Sequence, residues 1–589
     1  LRIMVAKQIS TRAGVIALAL SLAACGTGDS NADTDAMDEA LLDVTSTGLV
    51  SALEPGQAPV MIRFEGQATI CMFVVPYQKD FQLADWESRN FVDELAAKKF
   101  KQLGIQPSPL CDDATFVRRA FLDATGTQPT IEQSQAFVKS DNPKKREALI
   151  DELLGLTGDP ERDIHNDSYA AWWTLKWSDL IRNTSNGGGQ ELAMWSMHNW
   201  MKEAFRTNRP FNQFVSELVT AKGSVYSSGP ANYFRIFRNS SELTEGTAQL
   251  FLGVRLECAK CHHHPFEKYG LGDYYGFSAF FSRVGTKRSE EFGLFGGESV
   301  VIVRSSGDVS HPKTGKRLQP TPLEGEPTDH PLDRRIALAG WLTSKENTLF
   351  ARNIANRYVG YLLGRGLVDP IDDMRSTNPP TNPELLDALS SHFVDSGFDL
   401  KQLIRAIMVS RLYQLASQPT EQNKKDDRFY SHFTVKLIKA EALLDAIDQA
   451  TESQTKYKNL PLGTRAIELP DAEYPNVFLN TFGKPRRSSV CECERSVDQT
   501  LASTLHIVNG ETISSKLADQ NGRVARLTAA KTPVKEFIEE LFLATWCRKP
   551  TAEELQVAQE FVSKQADQQA GLADLLWVLI SSKNFLYVN

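Results

Sequence analysis

The residues best suited to chemistry in this 589-residue sequence are two cysteines and a histidine in one short run. Cys258, Cys261 and His262 form a CxxCH box, and His263 and His264 follow directly. Covalent haem attachment uses two thiols at this spacing, and the histidine after the second thiol becomes an axial iron ligand. The box therefore predicts one haem c held by these three side chains, with His262 on the iron.

A non-haem metal site is a second interpretation of the same residues. Cys491 and Cys493 form another closely spaced pair, far along the chain from the box. Brought together by folding, the two pairs and a histidine would suit tetrahedral zinc or iron. The ligands would then be Cys258, Cys261, His262 or His264, Cys491 and Cys493.

A structural role for the box is the third interpretation. Outside the cytoplasm, Cys258 and Cys261 can close into a disulfide or pack beside hydrogen-bonded histidines. Pro265 also argues against the helix that usually continues from a CxxCH box. Spacing specifies no second axial ligand, and the nearest upstream candidates are Met194, Met197, His198 and Met201.

Clustered carboxylates are weaker candidates for catalysis. Asp372 and Asp373 follow Asp369 closely, and Asp273 comes soon after the histidine run. Neighbouring carboxylates can shift one another's pKa, which makes Asp273, Asp372 and Asp373 possible acids or bases. The alternative is a loop tied to arginines, for which the candidate partners are Arg118, Arg119 and Arg365. The sequence has none of the common nucleotide, nucleophile-elbow or zinc-protease motifs.

The first residues predict export and a lipid anchor. Lys7 and Arg12 precede an apolar stretch too short for a membrane span, which ends in Leu22-Ala-Ala-Cys25. This ending resembles a bacterial lipobox, so we expect a signal peptide over 1–24 and a lipid on Cys25. The alternative is an ordinary signal peptide with an incidental cysteine. The expected location is the cell envelope, with the chain lipid-anchored and facing the periplasm or the cell surface.

Composition limits the remaining partners. The net charge is −8 and no basic stripe stands out, so nucleic acid is not an expected partner. Hydrophobic residues make up 41% of the chain, which is enough for large cores. After the signal peptide, no apolar run is long enough to span a membrane.

The elements that must position the box are mainly α-helical. We predict a flexible tether over 25–42, a small β segment over 43–80 and a helical domain over 86–284. A β-hairpin-like excursion over 285–328 and a second helical domain over 329–589 complete the chain. Helix ends are marked by Gly104 and Gly126, by Asn382-Pro383 and by the Thr551–Glu554 capping box. We expect the two helical domains to pack together.

Three long segments carry a resemblance to known families. They are GIQPSPLCDDATFVRRAFLDATGTQPT, FLGVRLECAKCHHHPFEKYGLGDYYGFSAFF and the run from ARNIANRYVGYLLG to VSRLYQ. These resemble a planctomycete cytochrome-type (PSCyt) domain followed by a PSD-type domain, both of unknown function. The 43–80 segment is similar to the C-terminal half of a bacterial Ig-like domain. The resemblance implies a haem link for the box.

Two classes of function follow from these motifs. The first is a membrane-tethered, c-type-cytochrome-like protein that passes electrons to an exported redox partner. The second is a non-haem surface protein with a Cys/His metal site. It would serve as a binding scaffold or as a hydrolase acting on an extracellular polymer.

Overall fold

The protein is mainly helical, as the sequence predicts. The computed structural model describes residues 41–45, 48–64, 67–185, 190–265, 267–289, 298–494 and 500–589. Two helical regions are joined by a three-stranded sheet, and small hairpins precede them. The predicted signal peptide, Cys25 and most of the tether lie outside the described residues.

Two separate antiparallel hairpins form the N-terminal β segment. They comprise β1 (Leu42–Val44) with β2 (Val50–Ala52), and β3 (Gly56–Phe64) with β4 (Gln67–Val75). The stretch around Gly48 therefore reverses the chain, with a positive φ of 80° at that glycine. The likeness of this segment to an Ig-like domain stays a prediction.

The described part of the first helical region contains ten α-helices. Its first helix begins where the Asn90 side chain accepts hydrogen bonds from the Val92 and Asp93 amides, and ends at left-handed Gly104. The helices are α1 (Phe91–Leu103), α2 (Asp113–Thr125), α3 (Ile131–Lys139), α4 (Lys145–Leu154), α5 (Asn166–Ile181), α6 (Glu191–Arg206), α7 (Phe211–Thr220), α8 (Asn232–Ile236), α9 (Ser240–Leu252) and α10 (Leu271–Ser278).

Two helices of the second helical region begin where the sequence predicts. The Asn382 side chain caps one helix at the Leu385 amide, and Thr551 with Glu554 forms the predicted capping box. The helices are α11 (Arg334–Leu342), α12 (Thr348–Leu363), α13 (Pro383–Asp395), α14 (Leu400–Val409), α15 (Ala440–Thr451), α16 (Val477–Thr481), α17 (Leu501–Asn509), α18 (Glu511–Leu517), α19 (Arg523–Ala529), α20 (Val534–Trp546), α21 (Ala552–Ser563), α22 (Gln568–Ser581) and α23 (Lys583–Leu586).

The β excursion between the regions is confirmed, and a distant segment completes its sheet. The strand order is β5-β7-β6, with β5 at Gly223–Ser224, β6 at Val284–Arg288 and β7 at Ser299–Val303. A small hairpin follows, made by β8 (Val309–Ser310) and β9 (Arg317–Leu318). Near the end of the chain, β10 (Lys436–Leu437) pairs with β11 (Tyr587–Val588).

The two helical regions share one hydrophobic core. Helix α5 provides its centre, because Trp173 and Trp177 are completely buried. Trp173 stacks on Tyr358 of α12 with ring centroids 4.7 Å apart, and Trp177 donates a hydrogen bond to the Tyr358 hydroxyl at 3.3 Å. The aromatic residues of α5 therefore fasten the regions together, and the expected packing of the two bodies is observed.

None of the helices described by the structure is long and apolar enough to cross a membrane.

Candidate cofactor site

The CxxCH box forms one tight 3₁₀ turn on the surface. The turn covers Glu257–Lys260, and the amides of Cys261 and His262 both donate to the Cys258 carbonyl at 3.3 Å. Within the turn Ala259 is completely buried, which anchors it to the body, where it packs against α10. The buried methyl group directs the flanking residues outward. The box is therefore a short rigid turn rather than the start of an α-helix.

Both thiols of the box are free and solvent-exposed. Cys258 and Cys261 are unpaired, so neither sulfur is consumed by a disulfide in this state. Both cysteine side chains are exposed on this one turn, so their thiols are accessible to an electrophile. Two exposed thiols beside one imidazole fit the requirement for covalent haem attachment.

The histidine of the box and the two histidines after it differ in their surroundings. His262 is exposed, and its Nδ1 lies 2.8 Å from the His263 carbonyl. A carbonyl can only accept, so Nδ1 carries the proton and Nε2 presents its lone pair. His264 is buried, its amide donates to the Tyr269 carbonyl at 2.9 Å, and its ring is hydrogen-bonded to the backbone of Arg255. Burial lowers the pKa of His264.

A loop of the second helical region holds the segment before the box. Asp372 is 1% exposed, and its carboxylate accepts hydrogen bonds from Gln249 and Arg255, both at 2.6 Å. The Met374 amide donates to the Gly253 carbonyl at 2.8 Å. A Cβ on Gly253 would come 2.4 Å from the Met374 side chain, and its φ of 67° is left-handed. The box is thus positioned by contacts between the two regions.

The same loop reaches the segment after the box through Glu267. This glutamate is 8% exposed, and its Oε1 accepts a hydrogen bond from the Ser376 amide at 3.2 Å. Burial raises the pKa of Glu267 to about 7, and the nearby charge of Asp373 acts in the same direction. Glu267 is a titrating link between the loop and the box that sequence reasoning missed.

The candidate acid–base residues have structural partners. Asp273 accepts a hydrogen bond from the Gly270 amide at 2.8 Å and so caps α10. Asp372 forms the ion pair with Arg255, and Asp373 lies 3.6 Å from Arg375. Arg365 pairs with Asp369 at 3.3 Å, as expected. A catalytic role for Asp273, Asp372 or Asp373 stays a prediction.

The second cysteine segment is engaged elsewhere. Cys491 is disulfide-bonded, and the side chain of Cys493 lies outside the described residues. Glu492, between them, accepts hydrogen bonds from Arg357 at 2.5 Å and from the Tyr361 hydroxyl. Arg357 is completely buried; burial acts to lower its pKa, but the neighbouring Glu492 carboxylate helps to raise it above the usual value. Glu492 therefore compensates a buried charge on α12.

The side chains proposed as metal ligands form no metal-binding group among the described residues. Within the residues that the structure describes, no three His, Cys, Asp or Glu side chains come together as a metal site. The upstream candidates for a second axial ligand are buried in the core on α6, which packs against α5 rather than against the box. They are Met194, Met197, His198 and Met201. The shared zinc or iron site stays a prediction.

Two family models match the chain. Residues 91–286 match PSCyt2, a protein of unknown function (DUF1549), and residues 334–562 match PSD1, a protein of unknown function (DUF1553). The first match contains the CxxCH box, and the second contains the loop that positions it together with the Cys491 segment. No curated protein and no solved structure matches the chain.

Proposed function

Because the chain carries a PSCyt2 domain followed by a PSD1 domain, we propose that it is an exported, membrane-tethered cytochrome c-like protein. In this proposal one haem is bound covalently through Cys258 and Cys261, and His262 is the axial ligand. Such a haem supplies one-electron transfer to an exported redox partner. The cytochrome-like name of the first family agrees with this function.

The hydrogen bond of His262 carries the proposal. Iron-ligating histidines use one ring nitrogen for the metal and donate the other N–H to an oxygen, which fixes the tautomer. His262 has this arrangement, since Nδ1 donates to the His263 carbonyl at 2.8 Å. His263 makes a longer contact of the same kind, 3.2 Å to the His264 carbonyl, but it does not directly follow the second thiol. The two free, exposed thiols lie on the same turn. The donor set therefore fits a haem c, and the exposure of the turn suits contact with a redox partner.

The surroundings of the other ligand candidates favour haem over a thiolate–imidazole metal site. His264 is buried and hydrogen-bonded to the backbone of Arg255. Cys491 is already consumed in a disulfide, and a disulfide sulfur is not the thiolate that zinc requires. His262 and His263 are both exposed beside the free thiols, and of the two only His262 directly follows Cys261.

The test is to express the full chain in a host with haem-maturation machinery. We expect a Soret band and a haem-stained band on a denaturing gel. His262→Ala should abolish or shift the Soret band, whereas the matched variants His263→Ala and His264→Ala should leave it unchanged. A colourless protein with stoichiometric zinc or iron would support the metal site. If all three variants match the parent in spectrum and metal content, both interpretations fail.

The proposal includes the cellular location of the protein. Leu22-Ala-Ala-Cys25 supports lipidation of Cys25 after signal-peptide cleavage. Cys25→Ser should therefore release the protein from the membrane fraction or block its processing. Retention in the membrane with normal processing would contradict the lipid anchor.

A large cavity lined by many charged side chains supports a second candidate function, the binding of an extracellular polymer. The cavity has a volume of about 960 Å³ and lies between α3 of the first region and α15, α19 and α20 of the second. Its lining carboxylates outnumber its cationic groups by seven to four, which disfavours an anionic polymer. The carboxylates are Glu132, Asp445, Asp448, Glu452, Glu536, Glu539 and Glu540, and the cations are Arg465, Arg523, Arg526 and Lys549.

The geometry of this cavity favours binding rather than hydrolysis. Asp445 accepts hydrogen bonds from the Ala466 and Ile467 amides, and Asp448 forms an ion pair with Lys516 at 2.7 Å. These two neighbouring carboxylates are thus engaged by the fold. The remaining amide, hydroxyl and carboxylate groups suit a neutral polymer rich in hydroxyl groups.

Affinity electrophoresis in gels containing neutral polysaccharides tests this second function. Gln135→Trp narrows the cavity from α3 and should abolish the retardation of the parent protein. Gln556→Trp, on the exposed surface of α21, is the matched control and should be retarded as the parent is. Equal mobility of all three proteins in every gel would contradict polymer binding.

A further inference from the structure

Two adjacent arginines on α2 are buried, and neither pairs with an acidic side chain among the described residues. Arg118 is 5% exposed and Arg119 is 1% exposed. The sequence suggested that both would pair with the Asp369–Asp373 cluster, and this is wrong. Their partners are backbone carbonyls near the end of the chain and after α14.

The hydrogen-bond acceptors of these arginines are backbone carbonyls rather than carboxylates, and the Phe433 ring centroid lies 3.6 Å from the Arg119 guanidinium. Arg118 donates to the carbonyls of Tyr587 and Phe585, at 2.8 and 2.5 Å. Arg119 donates to the carbonyls of Asn589 at 2.6 Å and Leu415 at 3.0 Å. Within the part of the chain that the structure describes, Arg118 Nε and Arg119 Nη2 find no hydrogen-bond acceptor.

The carboxylates of Asp113 and Asp123, on the same helix, are paired with other cations. Asp123, one turn along α2, forms an ion pair with Lys436 at 2.6 Å. Asp113 pairs with Lys145 and Arg146, at 2.7 and 2.8 Å. Buried charges in proteins are normally paired, because an isolated buried ion has lost its hydration without compensation. Burial accordingly lowers the pKa of Arg118 to about 10.

A cavity of about 240 Å³ lies directly beside the two guanidinium groups. Arg118, Arg119 and Arg548 line it, together with Thr115, Trp546 and Asn584. Arg548 also pairs with Glu554 at 2.7 Å. Among the described lining residues, Asp112 is the one acidic side chain, and it accepts hydrogen bonds from the Thr115 amide and hydroxyl as the cap of α2. Since Glu554 neutralises Arg548, the lining that remains has two guanidinium groups, those of Arg118 and Arg119, against the one carboxylate of Asp112, and is net positive.

We propose that this cavity is an oxyanion-binding site, in which Arg118, Arg119 and Arg548 bind a small sulfate, phosphate or carboxylate group. Guanidinium groups match the oxygens of such anions with several parallel N–H donors. The cavity has room for an anion of this size and for a few waters. This site is independent of the CxxCH box, which lies on a different part of the first region.

Titration distinguishes the three possible ligand groups, which are sulfate, phosphate and carboxylate. Sodium sulfate, phosphate and acetate are titrated into the full chain by calorimetry, against sodium chloride of matched ionic strength. We expect saturable binding of one anion per chain, and a thermal midpoint that rises by about 2 °C or more at saturation. Preference for sulfate and phosphate over acetate indicates a tetrahedral ligand, and the reverse preference indicates a carboxylate.

Matched variants assign the binding to the cavity. Arg548→Gln should weaken anion binding at least tenfold. The control Arg162→Gln also removes an arginine that is paired with a glutamate, Glu152 at 2.6 Å, but this arginine does not line the cavity, so the variant should bind as the parent does. Equal binding by parent and both variants would overturn the proposal, because the effect would then be a general response to salt.

A built-in anion gives an independent test that does not remove a buried residue. Ala114 lines the cavity near the start of α2, where a carboxylate is favourable. Ala114→Glu should raise the thermal midpoint without added anion and abolish the response to sulfate, whereas Ala114→Gln, which has the same shape without the charge, should do neither.

A protein that ends at Asn589 also has a terminal carboxylate beside Arg119, so each variant is repeated with Gly-Ser-Gly added after Asn589. Binding seen only in the extended chain would mean that the terminus fills the cavity, and would overturn the proposal.

Discussion

Two short cysteine-bearing turns use the same residue types in opposite ways. In the turn at Glu257–Lys260, both flanking thiols are free and exposed. In the turn at Glu492–Glu494, the preceding Cys491 is disulfide-bonded, and Glu492 is bonded to the completely buried Arg357. The first turn has its thiols at the surface, where they can react. In the second turn, Glu492 stabilises the fold through its hydrogen bond with Arg357.

The difference shows that surroundings decide what a cysteine pair does. The CxxCH turn is anchored by one buried methyl group, that of Ala259, and by backbone hydrogen bonds. Its cysteines and His262 are therefore not required for packing. At the second turn, the carboxylate of Glu492 supplies the charge that Arg357 needs. Substitutions at the first turn should consequently affect chemistry, and those at the second should affect stability.

The largest expected effect is the loss of haem from the first turn. Cys258→Ser combined with Cys261→Ser removes both thioether attachments, so no haem should remain on a denaturing gel. Because the thiols are exposed, the thermal midpoint of the apoprotein should change by less than about 2 °C. Cys491→Ser is the control, and it should keep the haem stain while lowering the midpoint. Loss of haem stain in Cys491→Ser alone would reverse the assignment of the two turns.

The next largest effect is on stability at the second turn. Glu492→Ala leaves the guanidinium of Arg357 buried without its carboxylate, which should lower the free energy of unfolding by about 3–5 kcal/mol. The matched control is Asp387→Ala, which breaks the ion pair with Arg352 where both side chains are partly exposed. That change should lower the free energy of unfolding by about 1 kcal/mol or less. Urea denaturation measures both, and equal losses would show that Glu492 is not a structural residue.

The sequence predicted the local elements of this fold well because their signals are local. Asn90 and Gly104 bound α1, and Thr551 with Glu554 starts α21, as their types and spacing indicate. The two-residue strand β5 was missed because it has no pattern of its own and pairs with β7 only in the folded protein. The reversal at Gly48 was missed for a related reason, since a single glycine in a β-branched run does not specify a turn.

The candidate site was predicted in part. The CxxCH spacing identified Cys258, Cys261 and His262, whereas nothing in the sequence distinguishes exposed His262 from buried His264. The contacts that hold the box join residues far apart in the chain, such as Arg255 with Asp372 and Glu267 with Ser376. The buried charge of Arg118 and Arg119 was equally hidden, because its partners are carbonyls, which every residue has.

A smaller effect should appear in the pH dependence of stability near the box. Burial raises the pKa of Glu267 from 4.5 to about 7, so the folded protein binds this proton more tightly than the unfolded chain. Its contribution to stability is therefore fully present below pH 4.5 and is lost as pH rises to about 7. Glu267→Gln should remove this loss of stability, which amounts to about 3 kcal/mol between pH 4.5 and 7.5. Urea denaturation at these two pH values measures it.

Glu324 provides the control for this pH effect. It accepts a hydrogen bond from Tyr269 and pairs with Lys268, next to Glu267, and its pKa is lowered by these partners. Its contribution is present above pH 4.5 and is lost as pH falls further. Glu324→Gln should therefore leave the change between pH 4.5 and 7.5 as in the parent. A parent-like pH profile in Glu267→Gln would contradict a buried, titrating Glu267.

The smallest effect is expected at Asp273, and it separates a helix cap from a catalytic carboxylate. Asp273 accepts a hydrogen bond from the Gly270 amide, and an asparagine oxygen can accept the same bond. Asp273→Asn should therefore change the free energy of unfolding by about 0.5 kcal/mol or less, whereas Asp273→Ala should cost about 1 kcal/mol. Both variants should keep the haem stain and the Soret band of the parent, because the side chain acts on α10 rather than on the box. Asp273→Asn could instead lose the Soret band, or its haem could be reduced more slowly, with no change in stability. The negative charge of Asp273 would then take part in function. The exposed CxxCH turn would then depend on a neighbouring carboxylate, and the contrast with the second turn would lie in charge as well as in exposure.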